Sequence, residues 1–191
     1  MKKITCLIAC LTLGVCLIAN AQSTYYVSSD GDNMNDGLSE TTAWETINYA
    51  VANAQSNSTI VVLAGIYSIP QVVVDKALTI RGEGQPQLLP DANPQNNLLT
   101  ITSSGVIIEN FIIDGANQVT DNIILTGSAT LDADTIRQNI IRNATGNGIL
   151  INSAVSNFSA VNNFIINNNT GITVGAPLNG SITENNLADN S

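Results

Sequence analysis

A short pattern recurs through the second half of the chain, and it constrains the fold more than any other feature. The pattern is Asn, any residue, an aliphatic residue, any residue, and then Asn or Asp. The first Asn residues of its four copies are 29, 24 and 22 positions apart. A repeat of about 20 to 50 residues is the signature of a coil of stacked units. The copies occupy residues 110–114, 139–143, 163–167 and 185–189.

A second pattern keeps step with the first and has the spacing of short β-strands. A pair of aliphatic residues two positions apart precedes each copy. Residues i and i+2 of a strand point to the same face, so each pair can fill the interior of a coil. The pairs are Leu99/Ile101, Ile123/Leu125, Ile149/Ile151 and Ile172/Val174.

The first Asn of each copy is predicted to belong to a structural ladder at a corner of the coil. Turns of a parallel coil stack about 4.8 Å apart, which brings equivalent side chains together. Stacked amides can hydrogen-bond from turn to turn, and Asn tolerates the left-handed backbone angles of sharp bends. The predicted ladder consists of Asn110, Asn139, Asn163 and Asn185.

The first 21 residues have the three sections of a secretory signal peptide. A basic start precedes an apolar run over residues 4–18, and small residues follow up to Ala21. The apolar run is too short for a membrane span. Cleavage near Ala21 predicts a secreted, periplasmic or cell-surface protein. Lipoprotein processing at Cys10 is the alternative, and it would leave a lipidated N-terminus.

The chain after Ala21 is predicted to be strongly acidic and without disulfides. All three cysteines lie before that point. The rest of the chain has four basic and fifteen acidic side chains, which gives a formal charge of −11. This balance argues against nucleic acid or an anionic membrane as a partner. Cations and neutral sugars are more compatible partners.

One amphipathic helix is predicted near the N-terminus, over residues 43–55. Thr42 and Glu45 fit a capping box, in which each side chain satisfies a backbone donor at the helix start. Apolar residues recur at helical spacing, and Trp44 lies on the apolar face that they form, so it is predicted to be a core residue. The preceding Asp- and Asn-rich segment, residues 30–37, is interpreted as a turn, with a hard-cation loop as the alternative.

Three segments of the chain resemble a known fold. Residues 25–37, 43–50 and 59–67 resemble the N-terminal part of secreted bacterial right-handed parallel β-helix proteins of the pectate-lyase-like superfamily. The resemblance implies an all-β, right-handed parallel β-helix with one N-terminal capping α-helix. The implied divisions are a signal peptide (1–21), an N-terminal strand, loop and capping helix (22–58), and β-helix turns (59–191).

The resemblance also implies a candidate catalytic site. Lyases of this superfamily use an arginine or lysine base, while calcium held by aspartates acidifies the proton that is removed. Arg137 is the candidate base, and Asp114, Asp132 and Asp134 are the candidate calcium ligands. The related glycosidases use a segment that contains histidine, and this chain has no histidine.

Two functions remain open from the sequence. In the first, the chain is the N-terminal part of a glycan-related protein, either lyase-like or polysaccharide-binding. In the second, it is a non-catalytic surface module of the adhesin type. Whether it is an enzyme is open, because no complete catalytic motif is present. The repeat is still in step at residues 185–189, so we expect an incomplete coil whose uncovered last turn self-associates.

Overall fold

The chain forms a parallel β-helix of about five turns. A computed structural model describes residues 22–93 and 95–191, so the predicted signal peptide lies outside the described residues. The described part contains α-helix α1 (Ile47–Asn53) and a 3-10 helix (Glu40–Thr42). Its strands are β1 (Thr24–Val27), β2 (Ser58–Val62), β3 (Ile66–Ile69), β4 (Val72–Val74), β5 (Leu78–Gly82), β6 (Gln87–Pro90), β7 (Asn97–Ile101), β8 (Ile107–Glu109), β9 (Ile112–Asp114), β10 (Asp121–Leu125), β11 (Leu131–Asp132), β12 (Thr135–Arg137), β13 (Ile140–Arg142), β14 (Asn147–Ile151), β15 (Val155–Val161), β16 (Phe164–Ile166), β17 (Thr170–Val174), β18 (Leu178–Thr183) and β19 (Asn186–Ala188).

These strands form three parallel sheets. Sheet A contains β1, β2, β5, β8, β12 and β15 in that order, and both β11 and β18 pair with β15. Sheet B contains β3, β6, β9, β13, β16 and β19, and sheet C contains β4, β7, β10, β14 and β17. The predicted right-handed parallel β-helix is confirmed, and the described residues contain one α-helix. Across the described residues, no helix is long and apolar enough to cross a membrane.

Aliphatic ladders fill the interior of the coil. In sheet C, Leu99 aligns with Ile123 and Ile149, as the paired spacing in the sequence predicts. In sheet A, Ile108 aligns with Ile136. All five side chains are buried. Each contributes about 1.5–3 kcal/mol relative to an exposed position, so the ladders are the main source of stability.

The helix begins later than predicted, and the proposed capping box of Thr42 and Glu45 is wrong. Trp44 has an extended backbone that forms a parallel bridge with Val27. The Trp44 N–H donates to the carbonyl oxygen of Tyr26 at 2.9 Å. This ladder bond to β1 holds the chain in an extended conformation, where the helix was expected to start.

The cap of α1 is Thr46, whose side-chain oxygen accepts a hydrogen bond from the backbone N–H of Tyr49. Asn33 Oδ1 accepts from the N–H of Thr46 at 3.1 Å, so the turn-rich loop supports the helix start. Trp44 is a core residue as predicted, and its ring stacks on Tyr25 with centroids 4.8 Å apart. The helix packs against β1, β2 and β4, the strands at the N-terminal end of the coil.

Candidate functional site

The residues of the predicted calcium and base site lie on two different sheets. Asp114 ends β9 in sheet B, and its Oδ2 accepts a hydrogen bond from Arg142 Nε at 2.8 Å. Arg137 ends β12 in sheet A, where its guanidinium contacts the Glu109 carboxylate at 2.5 Å. The structure therefore holds these two residues in separate ion pairs rather than in one cluster.

The Asp114 carboxylate is buried, and it stays ionised because its oxygens accept several hydrogen bonds. Burial by itself would raise the pKa of this group. Hydrogen bonds from Asn143, from the backbone of Ala116 and from Arg142 outweigh burial, so the pKa lies below its ordinary value. This carboxylate joins consecutive turns of the coil.

Asp132 and Asp134 are two residues apart but have opposite environments. Asp132 is exposed, and hydrogen bonds from Ser156 and Asn157 lower its pKa. Asp134 is fully buried, and its Oδ1 accepts from the backbone N–H of Val106 at 2.9 Å. Its Oδ2 has no hydrogen-bond partner among the described residues. Burial raises the pKa of Asp134 to about 6.

Within residues 22–93 and 95–191, no three or more Asp, Glu, His or Cys side chains are grouped so that they could hold a metal ion. Asp32 and Asp36 of the acidic N-terminal loop instead accept hydrogen bonds from the backbone N–H groups of Met34 and Leu38. Calcium binding and the role of Arg137 as a base therefore stay predictions from the sequence.

The connection from each sheet A strand to the following sheet B strand, here called the first corner, changes width along the coil. Strand register gives a step of four residues from Val62 to Ile66 in the first turn. The equivalent step in the second turn, from Gly82 to Gln87, is five residues. From the third turn onward it is two residues, beginning with the step from Asn110 to Ile112.

A ladder of Asn side chains lies beneath the narrow part of the first corner. Asn139 Oδ1 accepts from the backbone N–H of Phe111 at 3.0 Å. Asn163 Oδ1 accepts from both the backbone N and the Nδ2 of Asn139 at 3.1 Å. Asn185 Oδ1 accepts from the same two groups of Asn163, at 3.0 and 2.9 Å. The ladder therefore satisfies the backbone donors of a corner that has no sheet partner.

The prediction that Asn110 belongs to this ladder is wrong by one residue. Phe111 aligns with Asn139, and Asn110 aligns with Gln138 in the left-handed backbone position of the corner. Asn110 has φ 64° and Gln138 has φ 57°. The previous turn offers Pro86 at the equivalent place, which has no N–H for a side-chain amide to accept. A buried phenyl ring therefore takes the position.

An open groove of about 490 Å³ lies where the wide corners meet the narrow ones. We call it the corner groove. Its lining is dominated by amide side chains, with two charged and two apolar residues. The lining residues are Arg81, Gln85, Glu109, Asn110, Gln138, Asn139, Ile140, Asn162 and Phe164.

Charged residues of alternating sign run along the sheet A side of this groove. Arg81, Glu109 and Arg137 occupy equivalent positions in successive turns. Glu109 pairs with Arg137, and Arg142 pairs with Asp114. Lys76 donates to two carbonyl oxygens at the end of α1. Among the described residues, Lys76 and Arg81 have no salt-bridge partner, and Arg81 is the one of the two that lines the groove, where it is exposed.

An outward-facing apolar row borders the groove on the sheet B side. Ile112, Ile140 and Phe164 align in successive turns. Phe164 is 36% exposed and lines the groove. The groove therefore offers hydrogen-bonding amides, one cation without a partner and an apolar edge within a few turns of each other. Those are the groups that a sugar ring with hydroxyl and carboxylate substituents can use.

Sequence reasoning did not identify the corner groove, although part of its signal is present. Arg81, Glu109 and Arg137 are 28 residues apart in succession, which is the spacing from Phe111 to Asn139. Aligning charged residues at this spacing would have found the charged row. The groove itself depends on the change in corner width, and no repeat pattern in the sequence marks it.

Solved structures resemble the fold. A pectate lyase, Pel9A, matches with a TM-score of 0.65 and 16% identity over 77% of this chain and 40% of that chain. A rhamnogalacturonan lyase matches with a TM-score of 0.51 and 11% identity over 88% of this chain and 62% of that chain. The chain thus spans less than two thirds of either protein. No family model and no curated protein matches the sequence. These likenesses define the fold of the chain as a parallel β-helix similar to that of the pectate lyase.

Proposed function

We propose that this protein binds a polysaccharide along the corner groove, outside the cytoplasm. The observation that carries the proposal is the exposed Arg81 at one end of a row of amide side chains. The chain after Ala21 has a formal charge of −11, yet Arg81 has no carboxylate partner within salt-bridge distance, and it is the basic residue of the corner groove. Its guanidinium can form a bidentate pair of hydrogen bonds with a sugar carboxylate.

The other groups of the groove suit the rest of a sugar ring. The amides of Gln85, Gln138 and Asn162 can both donate to and accept from hydroxyl groups. Phe164 and Ile140 offer apolar surface to the ring face. The two structural neighbours are named as lyases, one of pectate and one of rhamnogalacturonan, which supports a polysaccharide as the ligand.

The test is calorimetric titration of the protein with pectate, rhamnogalacturonan and a neutral polymer such as dextran. Arg81→Gln is expected to weaken binding of the carboxylated polymers about tenfold, which corresponds to roughly 1.4 kcal/mol. Lys76→Gln is the matched control, because it removes the same charge from a side chain that lies outside the groove.

Binding to none of these polymers would refute the proposal, and so would equal losses in the two variants. A parallel assay for unsaturated products, with pectate and calcium, decides whether binding is accompanied by cleavage. Loss of such products in Arg137→Gln with binding retained would identify Arg137 as the base.

A further inference from the structure

The corner groove is bounded at one end by a loop that the later turns lack. The step across the first corner is five residues in the second turn, from Gly82 to Gln87, and two residues in the third turn. The three additional residues belong to the segment 83–86, here called the wall loop. Gln85 of the wall loop lines the groove, and Arg81 lies directly before it.

The wall loop is supported from below. Its Glu83 N–H donates to the carbonyl oxygen of Val62 in the first turn at 2.8 Å. A Cβ atom at Gly84 would come within 2.9 Å of the Cβ of Ala64, so the loop stacks closely on the corner beneath it. Pro86 is buried, and its carbonyl oxygen accepts from the N–H of Ile112 at 3.0 Å. The wall is therefore two turns thick and fixed at both ends.

The opposite end of the groove has no such loop in the described residues. The first corner keeps its two-residue step from Gln138 to Ile140, from Asn162 to Phe164, and again from Glu184 to Asn186. Turns stack about 4.8 Å apart, so the stretch from the wall loop to Asn162 extends roughly 14 Å along the coil axis. A linear ligand can enter from this side and run along the coil.

We propose that the corner groove receives the end of a glycan chain, which stops against the wall loop, rather than a segment from the middle of a chain. This inference rests on the proposed function. Arg81 and Gln85 sit at the closed end, where their donors meet the terminal sugar. Gln138, Asn162 and Phe164 bind the sugars behind it. A chain that continued in both directions would have to pass through the wall loop.

The experiment is calorimetric titration of the wild-type protein with galacturonate oligomers of increasing defined length and with the polymer. An end-binding groove gives one protein per chain at every length. A groove that binds the middle of a chain gives a number of proteins per chain that grows in proportion to length, and that result overturns the inference. Absence of binding at every galacturonate length overturns this inference, whereas the proposed function is refuted only if pectate, rhamnogalacturonan and dextran all fail to bind.

Removal of residues 83–85 tests the wall directly. It leaves Gly82, Pro86 and Gln87 in register with Asn110, Phe111 and Ile112, which restores a two-residue corner. Gly82 can adopt the left-handed backbone of the Asn110 position. Several molecules of the shortened protein are expected to bind along one long glycan chain. The affinity of the shortened protein for short oligomers is expected to fall severalfold.

A shortened protein with wild-type circular dichroism that still binds one copy per chain would overturn the role of the wall loop. If the shortened protein does not fold, the length series on the wild type decides alone. Lys76→Gln provides the matched control in both series, because it leaves the wall loop and the groove unchanged.

Discussion

The first corner is built in two ways within one molecule. In the first two turns it is a loop of several residues, and Pro86 lies inside the second loop. From the third turn onward it shrinks to one left-handed residue followed by Phe111 or by a ladder Asn, and each ladder Asn accepts a hydrogen bond from the N–H of the equivalent residue in the preceding turn. All three sheets run through both regions. Strand stacking therefore tolerates a change of corner, and the groove is created where the two designs meet.

The comparison also shows what an Asn ladder requires. Each ladder Asn accepts hydrogen bonds from the N–H of the corner residue in the preceding turn, as Asn139 does from Phe111. Because Pro86 has no N–H, the ladder has no donor to extend to, and it stops at Asn139. A short, tightly bonded corner can thus follow directly on a longer, looser one.

The largest expected effect comes from breaking the narrow corner at Asn163. This side chain is buried and bonds Asn139, Asn185 and the carbonyl oxygen of Ile136. Asn163→Ala leaves several buried polar groups without partners, so we expect the free energy of unfolding to fall by roughly 4 kcal/mol. Chemical denaturation of the wild type and the variant measures it.

The control for this change is its neighbour Asn162, which is exposed and has φ 56°. Asn162→Gly keeps the left-handed backbone accessible, and we expect a change within about 0.5 kcal/mol. If the loss of unfolding free energy at Asn163 is as small as the one at Asn162, the corner needs only its backbone shape and the ladder bonds contribute little.

A smaller effect on stability is expected from pH, and it arises in the later turns, at Asp134. The pKa of Asp134 rises from its ordinary value of 3.8 to about 6 in the folded protein. The folded state therefore holds this proton more tightly, and stability is greatest below pH 3.8 for this group and is lost as pH rises through 6. The full loss is about 3 kcal/mol, and roughly half of it falls between pH 5 and pH 8.

Thermal unfolding at pH 5 and pH 8 measures this dependence, and no histidine titrates in that window to obscure it. Asp134→Asn is expected to remove most of the decrease in melting temperature. Asp132→Asn is the matched control, because hydrogen bonds lower the pKa of that exposed carboxyl and place its titration below the window. A decrease that persists in Asp134→Asn and vanishes in Asp132→Asn would contradict the assignment.

The smallest expected effect concerns the two ends of the described coil. Helix α1 covers strands of the first turn, whereas inward positions of the last turn are exposed, with Leu187 at 51% and Val174 at 47%. We predict that the protein from Gln22 onward self-associates through this turn. Light scattering at roughly 50 µM should show dimers or larger species, and Leu187→Asp should shift the equilibrium toward monomer by about tenfold.

The matched control is Ile66→Asp, which places a charge on an exposed aliphatic residue of the first turn, where 67% of the residue is accessible. This variant is expected to associate as the wild type does. Monomeric wild-type protein at that concentration would show that the last turn does not drive association.

Much of the fold followed from local patterns. Leu99 and Ile101 are two positions apart, and this spacing within a single strand is enough to predict that both face the interior. The prediction that Trp44 is a core residue rests on the apolar face of the predicted helix, and Trp44 is buried although it lies before α1. The helix start was missed because Trp44 bridges to Val27, a residue 17 positions earlier, and no local pattern predicts that contact.

The sequence by itself determined that the chain repeats, which residues face inward, and that Asn would lie at the corners, because these features depend on neighbouring residues. The tertiary structure decided that Phe111, not Asn110, stands in step with Asn139, since that register is set by hydrogen bonds between residues 28, 24 and 22 positions apart. It also created the corner groove. Arg81 and Asn162 line one groove only because a five-residue corner stacks on two-residue corners. This stacking depends on contacts between neighbouring turns and not on the sequence of one turn.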